Sequence, residues 1–224
     1  MQIRVCAEKA QKRGDEFLVV AELCSGGSNG RRVLHARASV VLAARQPDAS
    51  STAGAAKVSS NLPALDQSIE TIYAETLFHG PAMHGLLDVE RCGDAGLVAR
   101  CRVAPPPGDW MEDPVRNRWI ADPLVLDSAL QAMIVWTSDQ VGQASLPSRF
   151  TRYRQFVPSF PTEGARIVID VHQRTNGKVV SDIDWIGDDG ELLARLEGYE
   201  SVVDSSLSRA FRHNRLDESA PTKA

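Results

Sequence analysis

The chain has 224 residues, is 43% hydrophobic and carries a net charge of −4. That is enough for one sizeable core, or for two small subdomains sharing one. The acidic balance argues against a nucleic-acid binder, and no apolar run approaches the ~20 residues that a membrane-spanning helix requires. The cysteines, Cys6, Cys24, Cys92 and Cys101, form no CxxC pair. Zinc and dithiol chemistry are therefore not indicated, and all four read as reduced thiols of a cytosolic protein.

Met1-Gln2-Ile3-Arg4-Val5 alternates as a strand does and lacks a signal-peptide profile. Residues 2–9, 16–24 and 32–43 are predicted as three strands of an antiparallel meander. The turn Lys12-Arg13-Gly14-Asp15 and the Gly/Ser cluster at 25–30 separate them. Residues 45–61, rich in Ala, Ser, Gly and Asp, read as a flexible connection. Residues 68–78 suit a short helix with Ile69, Ile72, Tyr73 and Thr76 on one side. A hairpin follows, with strands near 85–92 and 97–103 around Gly93-Asp94-Ala95-Gly96. A turn at Asp94-Ala95 sets Cys92 opposite Leu97 and Cys101 opposite Asp88, so the two thiols do not face each other. Pro105-Pro106-Pro107 ends the hairpin.

The segment from Asp122 to Ser138 carries the strongest signal. Asp122 suits an N-cap and Pro123 the first helical position. Leu124, Val125, Leu126, Ala129, Leu130, Ala132, Met133, Ile134, Val135 and Trp136 leave little polar surface, so the predicted helix over 123–138 belongs in a core. Asp127 lies inside it, beyond the first turn, where capping no longer explains an acid. Gln131 is four residues on, so the two side chains share a face. Two readings stand here. Either Asp127 lies on a narrow exposed stripe with Ser128, Gln131 and Ser138, or it is a buried carboxyl. Burial is the environment that raises a carboxyl's pKa and suits it to donate a proton. Strands are predicted near 149–157, 165–174, 178–187 and 191–203, with hairpin turns at Asn176-Gly177 and Asp188-Asp189-Gly190. One buried helix beside consecutive strands is an α+β pattern. The tail after Ser205 begins as a helix and ends polar and partly disordered.

Other chemistry is not indicated. Gly26-Gly27 and Gly93 to Gly96 lack the lysine and helix context of a phosphate loop. Ser128 and Ser145 lack the surroundings of an activated nucleophile, and no metal-ligand spacing occurs. Arg149, Arg152 and Arg154 form a basic cluster that reads either as a docking patch for an acidic partner or as a solvated strand face. Arg209, Arg212 and Arg215 share one face of the tail helix.

Leu77-Phe78-His79-Gly80-Pro81-Ala82-Met83-His84-Gly85-Leu86, followed by Leu126-Asp127-x-x-x-Gln131, resembles the dehydratase domains of polyketide synthases and polyunsaturated fatty-acid synthases. That family carries a Gly-Pro-x-Phe-Gln-Gly turn before a buried helix with Leu-Asp-x-x-x-Gln. Gly80, Pro81, Gly85, Leu126, Asp127 and Gln131 match it. Met83 and His84 replace the usual Phe-Gln, and Asp122 stands where the family often has His. Leu146-Pro147 and the run from Asp189-Gly190-Glu191 to Leu196-Glu197-Gly198 also fit, so the resemblance covers about 62–203.

The resemblance implies a hotdog fold, in which an antiparallel sheet wraps a long central helix. Residues 1–45 would be the remaining strands of a first hotdog and 46–61 a linker. Residues 62–204 would be a complete second hotdog and 205–224 a tail. It implies elimination of water from 3-hydroxyacyl thioesters held on the phosphopantetheine of an acyl carrier protein, with no metal or redox cofactor. Asp127 would be the acid and Gln131 its orienting partner. His79, Gly80, Pro81 and His84 would line the substrate pocket, His79 standing where many members carry a Tyr. The partners implied are the carrier protein and the other domains of a cytoplasmic synthase, in a homodimer. The family's base motif, His-x-x-x-Gly-x-x-x-x-Pro, does not occur around any of the five histidines. The chain by itself is therefore expected to lack dehydratase activity. The rival readings are a non-catalytic domain of such a synthase and a free-standing hotdog that binds or hydrolyses acyl thioesters.

Overall fold

A computed structural model describes residues 2–26, 32–49 and 62–213. The chain separates into two units, Met1–Gln46 and Pro47–Ala224. In the first, β1 (Ile3–Ala7), β2 (Gln11–Arg13), β3 (Glu16–Gly26) and β4 (Arg32–Leu42) form one antiparallel sheet. β1 and β2 lie end to end along one edge of β3, with Val5 opposite Leu23 and Lys12 opposite Phe17. β4 takes the other edge, with Phe17 opposite Leu42. Strand β2 departs from the predicted pattern. Lys12 and Arg13, read as turn residues, stay on the ladder, and the chain reverses over Gly14-Asp15, with Gly14 at φ 60°. Of the predicted Gly/Ser cluster, residues 27–30 lie outside the described residues, as do residues 50–61 of the predicted linker.

The second unit opens with α1 (Ile69–Thr71), capped by the Ser68 hydroxyl and continued by a π-helical turn over Ile72–Thr76. A 3₁₀ turn at Pro81–Met83 follows. Strands β5 (Leu86–Gly93) and β6 (Gly96–Cys101) form the predicted hairpin. Cys92 faces Leu97 as expected. Cys101, however, faces Leu86, and Asp88 faces Arg100, because irregularities between Leu86 and Asp88 and between Val89 and Arg91 slip the register. Burial pushes both thiols up to about 12.

After the short α2 (Pro107–Trp110) comes α3 (Pro123–Val141), the predicted central helix. Asp122 caps it by accepting from the Leu124 and Val125 amides at 3.0 and 2.9 Å. It runs three residues past the predicted end, to Gly142, whose φ of 71° stops it. The remaining strands are β7 (Ser145–Arg149), β8 (Arg152–Gln155), β9 (Ala165–Thr175), β10 (Lys178–Ile186) and β11 (Leu192–Val203). Of the predicted strand over 149–157 only Arg152–Gln155 forms β8; β7 precedes it and ends at Arg149, with Phe150 and Thr151 off the ladder between them. Pro147 is tolerated because β7 is an edge strand. The described residues end in α4 (Ser205–His213); residues 214–224, including Arg215, lie outside them.

The sheet order is β5-β6-β9-β10-β11, with β7 and β8 both on the far edge of β11 and every pairing antiparallel. Helix α3 packs into this sheet. Val125, Ala129, Met133 and Trp136 meet Leu97, Ile167, Ile169, Ile183 and Trp185 in one core. Each such large apolar side chain contributes about 1.5–3 kcal/mol on burial. Two indoles tie helix to sheet: Trp136 Nε1 donates to the Gly93 carbonyl at 2.8 Å and Trp185 Nε1 to the Val125 carbonyl at 3.1 Å. Arg195 on β11 meets Asp184 on β10 in a buried two-point ion pair, both contacts at 2.6 Å.

Candidate active site

The segment that leaves the π-turn runs across the first turns of α3. Gly80 precedes the 3₁₀ turn, Met83 N–H donates to the Gly80 carbonyl at 2.8 Å, and Arg102 Nε holds the His84 carbonyl at 2.8 Å. Gly85 lies so close to the helix that a Cβ there would fall 2.1 Å from Ser128 Oγ and 2.8 Å from Leu124 Cδ1. A glycine at this position is what lets the turn and α3 share one site.

Asp127 is at the mouth of this junction, its side chain 26% exposed. Gln131, one turn on, is wholly buried. Its Nε2 donates to Asp127 Oδ2 at 2.7 Å and to the Met83 carbonyl at 2.8 Å. Ser128 is also wholly buried, giving its hydroxyl to the Leu124 carbonyl at 2.7 Å. The exposed-stripe reading therefore fails at Ser128 and Gln131, which turn inward, while Asp127 and Ser138 are half-buried.

His79 comes to Asp127 from the turn. Its Nε2 is 3.5 Å from Asp127 Oδ2, and its side chain is 11% exposed. Phe78 stacks on its ring at 4.3 Å and is itself backed by Phe211 of α4, also at 4.3 Å. Burial holds the His79 imidazole below its ordinary titration range; the nearby His84 adds to the effect and Asp127 opposes it. His79 Nδ1 is buried and has no hydrogen-bond partner among the described residues. His84 does different work. Its Nε2 donates to the His79 carbonyl at 3.0 Å and its ring stacks on Tyr73 at 3.8 Å, so it props the turn. Pro81 is exposed at the rim, beside half-buried Gly80.

Tyr73 was not singled out by sequence reasoning as more than an apolar-face residue. It belongs to the site. It sits in the π-turn, its hydroxyl accepting from Leu86 N–H and donating to Gln131 Oε1, both at 2.8 Å. Burial pushes it up to about 12. The signal available was a phenol hydroxyl on a helix face whose other members are Ile69, Ile72 and Thr76. Tyr199 on β11 is also buried and raised, through desolvation first and the Asp127 charge second.

The basic cluster is not a free cationic patch. Arg149 pairs with Glu200 at 3.4 Å, and Arg152 and Arg154 both reach Glu197, at 2.6 and 3.3 Å. Of the tail arginines, Arg209 is exposed and the side chains of the others lie outside the described residues. Among the described residues no group of three His, Cys, Asp or Glu side chains could hold a metal, and no helix is long and apolar enough to cross a membrane.

Comparison with known proteins bears on the family and the fold. Residues 51–204 match the family described as polyketide synthase dehydratase N-terminal domain. The chain is similar to one of the subunits of the polyunsaturated fatty acid synthase from a Thraustochytrium species, 36% identical over 132 residues. That stretch is 58% of this chain but 5% of its relative, so the chain spans a small fraction of the curated protein it matches. The dehydratase domain of RzxB from Pseudomonas fluorescens superposes with a TM-score of 0.63 at 16% identity, over 89% of this chain and 67% of that one. The dehydratase domain of PpsC from Mycobacterium tuberculosis gives 0.60 at 18%, over 88% and 66%. At such identities the two structures speak for the hotdog fold. With its fold and the matched 51–204 segment in agreement, this chain belongs to the polyketide synthase dehydratase N-terminal domain family.

Proposed function

We propose that the chain contributes the proton-donating side of a dehydratase site in a polyketide or polyunsaturated fatty-acid synthase. The substrate is a 3-hydroxyacyl thioester on the phosphopantetheine of an acyl carrier protein. The observation that carries this is Asp127: a carboxyl at the mouth of a buried helix, held on Oδ2 by Gln131 and faced by His79. In the elimination, Asp127 gives its proton to the β-hydroxyl, which leaves as water. A base takes the α-proton, and the C–H electron pair becomes the new double bond. His79, Gly80, Pro81 and His84 form the wall past which the acyl chain runs. The protein acts in the cytoplasm beside the other domains of its synthase. It acts as a homodimer, in which self-association covers the exposed Ile3, Val5, Val40 and Leu42 of the first unit.

Two readings differ in the base. In the first it comes from outside the groups described around Asp127, since none of the five histidines carries the family's motif. In the second His79 is the base. Its imidazole beside Asp127, whose charged form burial disfavours, with a buried Nδ1 lacking a partner among the described residues, favours that reading. The test is to incubate the purified chain with a carrier-bound 3-hydroxyacyl group and follow the 2-enoyl product by mass spectrometry. The first reading expects no product from the chain alone. It also expects Asp127→Asn to lower the flux of a synthase containing the chain by about 10²–10⁴-fold. Product from the chain alone, lost in His79→Ala, establishes the second. Full flux in Asp127→Asn removes Asp127 from the reaction and overturns both.

A further inference from the structure

We infer that Tyr73 is a positioning residue that fixes the polarity of the Gln131 amide and thereby selects which oxygen of Asp127 carries the transferable proton. This rests on the reading of Asp127 as the acid, but the geometry behind it does not depend on the reaction. The Gln131 side chain is wholly buried, and all its contacts are directional. Its nitrogen faces two acceptors, the Met83 carbonyl at 2.8 Å and Asp127 Oδ2 at 2.7 Å. Only an NH₂ group satisfies both. Its oxygen must then find a donor, and the Tyr73 hydroxyl lies 2.8 Å away.

A hydroxyl can donate or accept, so Tyr73 alone would not fix the direction. The Leu86 amide does. It is a backbone N–H on the first residue of β5, it can only donate, and it points at the Tyr73 oxygen from 2.8 Å. The Tyr73 proton is thus left for Gln131 Oε1. The sequence of bonds runs one way: Leu86 N–H to Tyr73, Tyr73 to Gln131, Gln131 to Asp127. With the opposite amide orientation, the glutamine oxygen would face both a carbonyl and a carboxylate, and its NH₂ would face a hydroxyl.

The consequence falls on Asp127. Gln131 and His79 both approach Oδ2, and Oδ1 has no partner among the described residues. An oxygen that already accepts an N–H is the poorer place for a proton. The proton of the acid form therefore resides on Oδ1, the oxygen left for substrate. Tyr73 can hold this register because it is braced on both sides. The π-turn presents it toward α3, and His84 stacks on its ring at 3.8 Å with an interplanar angle of 17°.

The experiment uses the full chain and reads the Gln131 side-chain amide by NMR. In the unsubstituted protein the two Nε2 protons should be distinct and slow to exchange with water. Tyr73→Phe keeps the ring and its stacking but removes the hydroxyl; the two protons should then exchange at least about tenfold faster, since one net hydrogen bond is lost. Tyr153→Phe is the control. It deletes a second tyrosine–glutamine bond, the 2.9 Å contact to Gln155, and should leave Gln131 unchanged. Equal protection in Tyr73→Phe and the unsubstituted chain overturns the inference. So does loss of protection in both tyrosine variants, which marks a general loosening. Should Tyr73→Phe not fold, the unsubstituted chain still decides: its Tyr73 hydroxyl proton must be seen in contact with Gln131, and its absence overturns the inference. A synthase containing the chain supplies the second readout, where Tyr73→Phe should lower kcat and leave KM unchanged. If the amide behaves as expected while Asp127→Asn retains full flux, the positioning role stands and the dehydratase reading falls.

Discussion

Strands β4 and β11 are nearly equal in length, 11 and 12 residues, and each mixes apolar with polar side chains. β4 is exposed at every position, whereas β11 is buried at Leu192 to Leu196 and again at Tyr199, Ser201 and Val203. Pairing is good in both, and Phe17, Leu18 and Ala21 to Ser25 of β3 are matched along both edges. What differs is the second layer. The seven-stranded sheet holds α3, while the four-stranded sheet has no helix among the described residues of its unit. Hydrogen bonding makes a strand, but an opposing apolar surface makes a core, and in water most of the stabilisation comes from the latter.

Breaking an ion pair in each sheet should widen this contrast most. Asp184→Ala leaves Arg195 buried without its carboxylate and should cost about 3–5 kcal/mol, read as a lowered midpoint in denaturant. The same change at Glu22, whose partners Arg32 and Arg37 are both exposed, should leave that midpoint where it was. A drop of equal size in both variants would show that the four-stranded sheet is as tightly supported as the other.

Glycine substitutions give the next largest difference. Gly85→Ala drives a Cβ into Ser128 and Leu124 and should destabilise by about 1–3 kcal/mol, with the Gln131 amide losing its protection. Gly26→Ala meets nothing within 4 Å among the described residues at the end of β3 and should shift stability by less than about 0.5 kcal/mol. Thermal melts of the two variants compare them directly.

The smallest effect is a pH slope. His79 titrates lower in the folded chain than the ~6.5 of an unfolded histidine. As pH falls through that window the unfolded chain takes up a proton and the folded chain does not, so stability is present above pH ~6.5 and declines below it. His79→Gln should flatten the stability–pH curve below pH ~6.5. A curve unchanged by the substitution would place the slope on other groups.

The parts of the fold that were legible share a local cause. Helix α3 was readable because Leu124 to Trp136 leave it no polar face, and the hairpins after it because Asn176-Gly177 and Asp189-Gly190 name their turns. The errors came where pairing overrode local composition. Lys12 and Arg13 look like turn residues yet pair with Phe17 and Glu16, and two irregularities in β5 moved Cys101 opposite Leu86. The site divides in the same way. Asp127 and Gln131 share a helix face by spacing alone. The approach of His79, 48 residues upstream of Asp127, depends on how tightly Gly85 lets the turn settle on α3. Tyr73 was legible as an apolar-face residue but not as a hydrogen-bonding one, because its partners lie on α3 and β5.

The indoles that tie α3 to the sheet have a practical consequence. Of the four tryptophans, Trp136 and Trp185 are sealed in the core with each N–H on a backbone carbonyl across the helix–sheet boundary. Trp110 and Trp119 lie together outside that core, their rings 5.8 Å apart. The chain therefore carries a built-in optical gauge. Replacing Trp110 and Trp119 with phenylalanine leaves two reporters whose emission is blue while the helix is seated and moves to the red when water reaches the boundary. Seating of α3 can then be followed without a dye, a substrate or an assay of the chemistry.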